Sequence, residues 1–332
     1  MISYYGNKIF SFYPDAKKLQ ARKMVYPRFV SLWLTTGCNL SCSYCLFSAM
    51  NRTPIFADVK KVYKFIDEIV KVGAESLEFS GGGEPTLHKN CFDIAEYAYK
   101  KGLKTGLLTN GYNFDFERIK YFSYIRIGLD ATDADGYSLI KNCPKEYFQK
   151  TLNNVQKLLQ VRDNCSKPRI GLKFMLNGSN FGSISKMVQL AKETKVDYCH
   201  FKGTHSDSEQ LLEEQVQIAK HVLEEQKKLH LDFIYGSVER LRAKEKCFMS
   251  PIHTVITPEG NCLVCCYFHQ PKYIIGNIFR NKFEMVWNSK RHWDIIDSIS
   301  TEMCSKVDCR WASYNSEMKE ILESDKYDMS FI

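Results

Sequence analysis

No apolar run in the 332 residues approaches the roughly 20 needed to cross a bilayer. The N-terminal stretch "MISYYGNKIFSFYPDAKK" has no apolar signal-peptide core followed by small residues. A cytoplasmic protein with no membrane partner is therefore expected. The sequence also lacks internal repeats, low-complexity tracts and any dense basic run. Its formal charge of +8 comes from 46 basic and 38 acidic residues spread along the chain, and a solvated surface accounts for it. The 13% aromatic content is expected in the core, since stacking on bases would need clustered exposed aromatics beside basic residues, and nucleic acid is not an expected partner.

Cysteine is what the chain has in abundance. There are 13, an odd number, and without a secretion signal a disulfide framework is not expected. Three of them, Cys38, Cys42 and Cys45, fall within "TTGCNLSCSYCLFSAM"; six more, at 247, 262, 265, 266, 304 and 309, form a late group. Between the groups the cysteines are single, at 91, 143, 165 and 199.

From about residue 28 to 205 the pattern alternates strand and helix. Short apolar runs at 29–36, 76–81, 104–110, 124–130, 169–176 and 197–203 read as strands covered on both faces. Amphipathic segments at 57–72, 92–101, 145–161 and 183–194 read as helices; the first carries Val59, Val62, Phe65, Ile66 and Ile69 in one stripe. Repeated strand–helix units imply a parallel α/β sheet or barrel. "TTGCN", "SGGGEP" and "TNGY" then lie at strand ends, where such folds bind ligands. A long polar helix over 206–230 breaks the rhythm, and beyond 246 short strands and turns follow, with a hairpin turn at Pro258-Glu259-Gly260-Asn261. The expected divisions are an N-terminal extension (1–27), a barrel with its bridging helix (28–235) and a small cysteine-rich α+β domain (236–332).

Three thiols spaced C-x3-C-x2-C fill three of the four positions of a four-iron cluster and leave one open. A zinc knuckle or buried structural thiols would use the same residues. The glycines of "GGGEP" allow close approach of a ligand to the backbone, whose carbonyls can accept from an ammonium group.

"CNLSCSYC" followed by "GGGEP" on the next strand resembles the radical S-adenosylmethionine (radical SAM) superfamily over roughly residues 28–205. The resemblance implies a partial (β/α)6 barrel with Cys38, Cys42 and Cys45 on a [4Fe-4S] cluster whose open iron binds SAM. It places Tyr44 near the adenine and Gly82, Gly83 and Glu84 at the methionine amino group. Asn110 and Asp130 would reach SAM or substrate, and Lys173 and Lys202 are further candidates for ligand contact. The late cysteines resemble a Twitch/SPASM extension, which implies one auxiliary [4Fe-4S] cluster on Cys247, Cys265, Cys304 and Cys309. Zinc in a ribbon remains the other occupant. Cys265 and Cys266, read as strand neighbours, would point to opposite faces.

The implied enzyme cleaves SAM reductively to a 5′-deoxyadenosyl radical, which abstracts a substrate hydrogen atom, with the auxiliary cluster in electron transfer. Oxidation or epimerisation of a small carbohydrate-like or peptide substrate would follow, including ribosomal-peptide maturation; a flavodoxin or ferredoxin would supply electrons. Epimerisation needs a hydrogen donor, for which Cys143, Cys199, Cys262 and Cys266 are candidates. Residues 1–27 are too few for a leader-peptide-binding winged-helix domain. A zinc protein binding RNA or another protein is the non-enzymatic alternative. His200 and His205 have a spacing that suits neither a helix face nor a tight metal loop, and read as ordinary histidines.

Overall fold

The structure, a computed structural model, describes residues 6–48, 53–162, 167–204, 209–239, 241–307, 309 and 311–323. Its strands are β1 (Phe29–Leu32), β2 (Ser76–Phe79), β3 (Lys104–Thr109), β4 (Tyr124–Gly128), β5 (Arg169–Leu176), β6 (Tyr198–Gly203), β7 (Ile234–Ser237), β8 (His253–Ile256), β9 (Asn261–Leu263) and β10 (Ile274–Asn277). Its helices are α1 (Gly6–Gln20), α2 (Val59–Lys71), α3 (Cys91–Lys100), α4 (Ala134–Lys141), α5 (Glu146–Val161), α6 (Ile184–Thr194), α7 (Glu213–Leu229), α8 (Phe283–Trp287), α9 (Lys290–Ser298), α10 (Thr301–Ser305) and α11 (Ala312–Glu323).

All ten strands form one sheet in the order β10-β9-β8-β1-β2-β3-β4-β5-β6-β7. β1 to β7 pair in parallel in chain order, and β8 returns to pair in parallel with the far side of β1. β1 is therefore the switch point of the sheet, and the loop leaving its C-terminal end lies between two oppositely progressing halves. Thr257–Gly260 turn the chain from β8 into antiparallel β9, with Gly260 at φ 84°, as the hairpin signal predicts.

Successive residues on β4, β5 and β6 point to opposite faces of the sheet. Ile125 and Ile127 on β4, Ile170, Leu172 and Phe174 on β5, and Cys199 and Phe201 on β6 are buried against the helices, while the residues between them face the inner side of the sheet. α2 begins at Asp58, whose carboxylate accepts from Lys61 N at 3.0 Å. It buries Val62, Phe65, Ile66 and Ile69, each of which contributes about 1.5–3 kcal/mol by leaving water.

Three expectations change. The polar segment at 206–230 is a crossover helix: α7 starts at Glu213, packs on α6 and delivers the chain into β7, a seventh parallel strand. The short run Ile234–Ser237 carries too little apolar pattern to stand out beside such a long helix. α1 lies within the stretch read as an extension; Ala16 and Leu19 pack with Tyr314, Met318 and Leu322 of α11. The short helix α4 was not legible either, and it proves central to the site.

Candidate functional site

β1 leads into Thr35-Thr36-Gly37, which present the cysteine loop. Thr35 Oγ1 accepts from Gly37 N at 2.9 Å, and Thr36 Oγ1 from Ile55 N at 2.9 Å. The glycine loop after β2 lies directly on this turn: Glu84 N donates to Gly37 O at 2.8 Å, and a Cβ at Gly83 would stand 2.0 Å from the same oxygen. On the other side, Ser43 N and Ser41 N donate to Ile140 O at 3.0 Å and Lys141 O at 3.2 Å, at the C-terminus of α4. Two neighbours thus hold the backbone that carries Cys38, Cys42 and Cys45, all of them partly exposed and free of disulfides.

The donor chemistry fits an iron–sulfur cluster. Burial pushes the Cys38 thiol up to about 12, with Glu84, Cys42 and Cys45 raising it further against a backbone bond to Leu40. A thiolate there needs a strongly positive partner, which an iron centre supplies. Among the described residues no donor bonds the carbonyls of Gly81, Gly82 or Gly83, which leaves them for an ammonium group.

Glu84 differs from its expected role. Its carboxylate accepts from Thr109 Oγ1 at 2.6 Å, Asn110 N at 2.7 Å and Thr86 Oγ1 at 2.8 Å, so it ties the end of β2 to the end of β3. Burial raises its pKa, and these bonds oppose that rise. The Glu84 carboxylate is thus taken up by protein groups, while the carbonyls of the glycine loop before it are not. Asn110 donates through Nδ2 to Asn39 Oδ1 at 2.7 Å inside the cysteine loop, whereas Asn39 Nδ2 is buried with no partner and is the one open polar atom of that pair.

Asp130 and Tyr44 are brought together. The Tyr44 hydroxyl donates to the Asp130 carboxylate, and Lys141 Nζ donates to both groups, at 3.0 Å to the tyrosine. Asp130 is fully buried, its backbone held at φ 61°, with Oδ1 accepting from Met175 N at 2.6 Å. This carboxylate is engaged by three protein groups, Tyr44, Lys141 and Met175 N. Lys141 escaped sequence reading because a lysine in a last helical turn ordinarily points to solvent.

At the other end of the chain, Cys247, Cys265, Cys304 and Cys309 line one cavity walled by Val264, Phe268, Ile296 and Trp311. Four separate segments meet there. Ser250 N donates to Cys247 Sγ at 3.2 Å, and Asn315 Nδ2 at 3.7 Å, the kind of contact that steadies a thiolate ligand. Burial holds Cys309 up at about 12 and Cys304 up at about 11. Cys265 and Cys266 lie beyond the end of β9, so strand alternation does not separate them; the two thiols interact. Cys266 packs instead with Trp33 and Phe47, whose rings stand 4.9 Å apart between the cysteine loop and the late cysteines.

The hydrogen-donor candidates divide. Cys199 is buried on the helix side of β6, and Cys262 is buried on β9 against Thr254 Oγ1 at 3.3 Å, so neither faces the inner side. Cys143 and Cys266 are partly exposed. Lys173, Lys202 and His200 face the inner side on β5 and β6, whereas His205 and Cys165 lie outside the described residues.

Residues 34–191 match the family model of the radical SAM superfamily, and residues 247–310 that of the SPASM iron–sulfur cluster-binding domain. Over 233 residues the chain is 28% identical to the Fe-coproporphyrin III synthase of Methanosarcina barkeri, covering 65% of this chain and 57% of that one. It is 24% identical over 309 residues to the antilisterial bacteriocin subtilosin biosynthesis protein AlbA of Bacillus subtilis, covering 87% and 66%. The matched regions thus span about half to two-thirds of these relatives. Streptococcus suis SuiB shares the fold at a TM-score of 0.69 with 14% identity, over 92% of this chain and 77% of its own. With these two domains come SAM and [4Fe-4S] clusters, an auxiliary one among them. Residues 34–191 thus carry the radical SAM superfamily domain, followed at 247–310 by an iron–sulfur cluster-binding domain of the SPASM type.

Proposed function

We propose that this enzyme oxidises a peptide substrate after abstracting a hydrogen atom from it. Cys38, Cys42 and Cys45 would hold the SAM-site cluster, and Cys247, Cys265, Cys304 and Cys309 the auxiliary one. When bound, the first cluster with SAM supplies a 5′-deoxyadenosyl radical, and the second supplies electron exchange. The chain's own residues orient and enclose: the Gly81–Gly83 carbonyls would accept from the SAM ammonium, and the Glu84 bonds keep that loop against Gly37. Lys141 and Tyr44, fixed by Asp130, present an ammonium and a phenol beside the cysteine loop.

The observation that carries the reading is the second thiol site, whose four cysteines meet around one apolar cavity in the domain that extends the same sheet. A site with four thiolates leaves no iron open for substrate, which suits electron exchange. The peptide class is supported by the likeness to AlbA along 87% of the chain and by SuiB, which is known bound to its precursor peptide SuiA.

Product formed in heavy water tests the outcome. Oxidation yields a product two hydrogens lighter with no solvent deuterium at the reacting carbon. One deuterium at an inverted carbon would establish epimerisation instead, with Cys143 or Cys266 as the donor.

A further inference from the structure

The inner side of the sheet is built in steps. Its floor is filled by Tyr124 and Tyr198, which lie over Gly106 and Gly171; a Cβ at these glycines would come within 2.5 Å and 2.3 Å of the rings. Tyr124 donates its hydroxyl to Glu78, and Arg126 Nε bonds Tyr198 OH at 3.3 Å. One step above, Lys173 on β5 stands in register with His200 on β6, and a step higher Met175 is in register with Lys202. Gly128, beside Lys173 on β4, leaves the opening toward Lys141 and Asp130.

Positive groups therefore gather on adjacent strands, and the anion beside them is already committed. Asp130 is engaged by Lys141, Tyr44 and Met175 N, and Glu78, two steps further down, takes the Tyr124 hydroxyl on Oε2 and leaves Oε1 without a hydrogen-bond partner. The Lys173 side chain makes neither a hydrogen bond nor an ion pair among the described residues. Next to it, His200 Nδ1 is buried with no partner. Burial draws the Lys173 amine down to about 8; Asp130 opposes this, and Lys202, Arg126 and Lys141 add to it. Burial likewise holds His200 well below its usual range, reinforced by Arg126, Lys173 and Lys202. The half-buried Lys173 amine, with no side-chain partner, stands beside an orphaned imidazole nitrogen, and a bound oxyanion would satisfy both.

We propose that Lys173 and His200 form an oxyanion subsite on the inner side of the sheet, which anchors a carboxylate or phosphate of the substrate beside the SAM site. This rests on the reading of the enzyme as a radical SAM catalyst and narrows its substrate class. A peptide with an acidic side chain or free C-terminus, or a phosphorylated compound, brings a charge that matches the amine, whereas a neutral sugar brings only hydroxyl hydrogen bonds. Arg126 and Lys202, one step below and one above, add attraction for the same charge.

Site-resolved lysine acetylation of the reconstituted holoenzyme, with SAM bound, tests the subsite. Glutarate and inorganic phosphate serve as probes, and exposed Lys60 as the internal reference. The expected result is a saturable slowing of Lys173 acetylation, at least fivefold, by one probe, with Lys60 unchanged. Protection by glutarate assigns a carboxylate and protection by phosphate assigns a phosphate. The proposal is overturned if neither probe slows Lys173 relative to Lys60, or if Lys173 does not react at all. It is equally overturned if SAM alone blocks Lys173, because the anion is then the carboxylate of SAM. As a second measurement, Lys173→Met should weaken calorimetric binding of the protecting probe at least tenfold, while Lys60→Met leaves it unchanged; equal affinity in Lys173→Met would overturn the proposal. Formation of 5′-deoxyadenosine by wild-type enzyme reports separately on the radical reading, so protection can fail without it and it can fail without protection.

Discussion

Asp130 and Lys141 form an ion pair with side chains 0% and 3% exposed, at the point where β4, α4 and the cysteine loop meet. Burial works against the Lys141 charge, and Asp130 outweighs it, raising the amine well above its usual value. A folded pKa above the unfolded one gives stability that is complete below about 10.4 and lost only as pH rises past the folded value. Lys141→Met should therefore destabilise the protein around neutral pH by about 3–5 kcal/mol, because it leaves the buried Asp130 carboxylate without a counter-charge. Urea unfolding of the variant checks this. Adding Asp130→Asn should recover part of the loss; a double variant as weak as the single one would show that the pair is not the source.

Gly83→Ala should empty the SAM site selectively. The new Cβ would fall 2.0 Å from Gly37 O, a backbone atom that can move only with the cysteine loop. Anaerobic reconstitution should give about four fewer iron per chain than wild type, with the auxiliary iron retained. Full iron content in the variant would mean that the loop yields freely.

Iron and sulfide counts separate the two thiol sites. Wild type should carry about eight iron, and the Cys38/Cys42/Cys45→Ala triple variant about four. The residual four should vanish when Cys247, Cys265, Cys304 and Cys309 are also replaced. Retention of iron in that septuple variant would point to Cys266, which interacts with Cys265.

Acid should weaken the fold through His292. This residue is fully buried on α9, its Nδ1 on Trp287 O at 2.8 Å, and burial lowers its pKa to about 4 against that backbone bond. Below about 6.5 the unfolded chain binds a proton that the folded chain refuses, so stability falls as pH drops from about 6.5 to about 4. The loss amounts to roughly 3 kcal/mol. His292→Asn can keep the bond to Trp287 O without the titration and should flatten the dependence of the urea midpoint over that range. An unchanged slope would place the acid sensitivity elsewhere, for instance at His200, whose pKa burial lowers in the same direction.

Much of this was legible in the linear pattern. The six expected strands coincide with β1 to β6, because apolar runs bounded by glycine and polar loops are local signals that burial on both faces demands. Cys38, Cys42 and Cys45 needed no long-range information, since one short loop carries all three, and the four late cysteines expected at one site do line one cavity. What tertiary structure decided was which side chains face one another. Register alone sets Lys173 beside His200, and only the return of β8 to β1 makes a continuous sheet of the two thiol regions. Lys141 looks like a surface lysine until the packing of α4 under the cysteine loop turns it toward Asp130, and Glu84 looks like a ligand contact until Thr109 and Asn110 close on it. Residue type and spacing determined the chemistry the chain can hold. The direction of each side chain depends on partners more than 20 residues away, as between Glu84 and Thr109, and that was settled only by the fold.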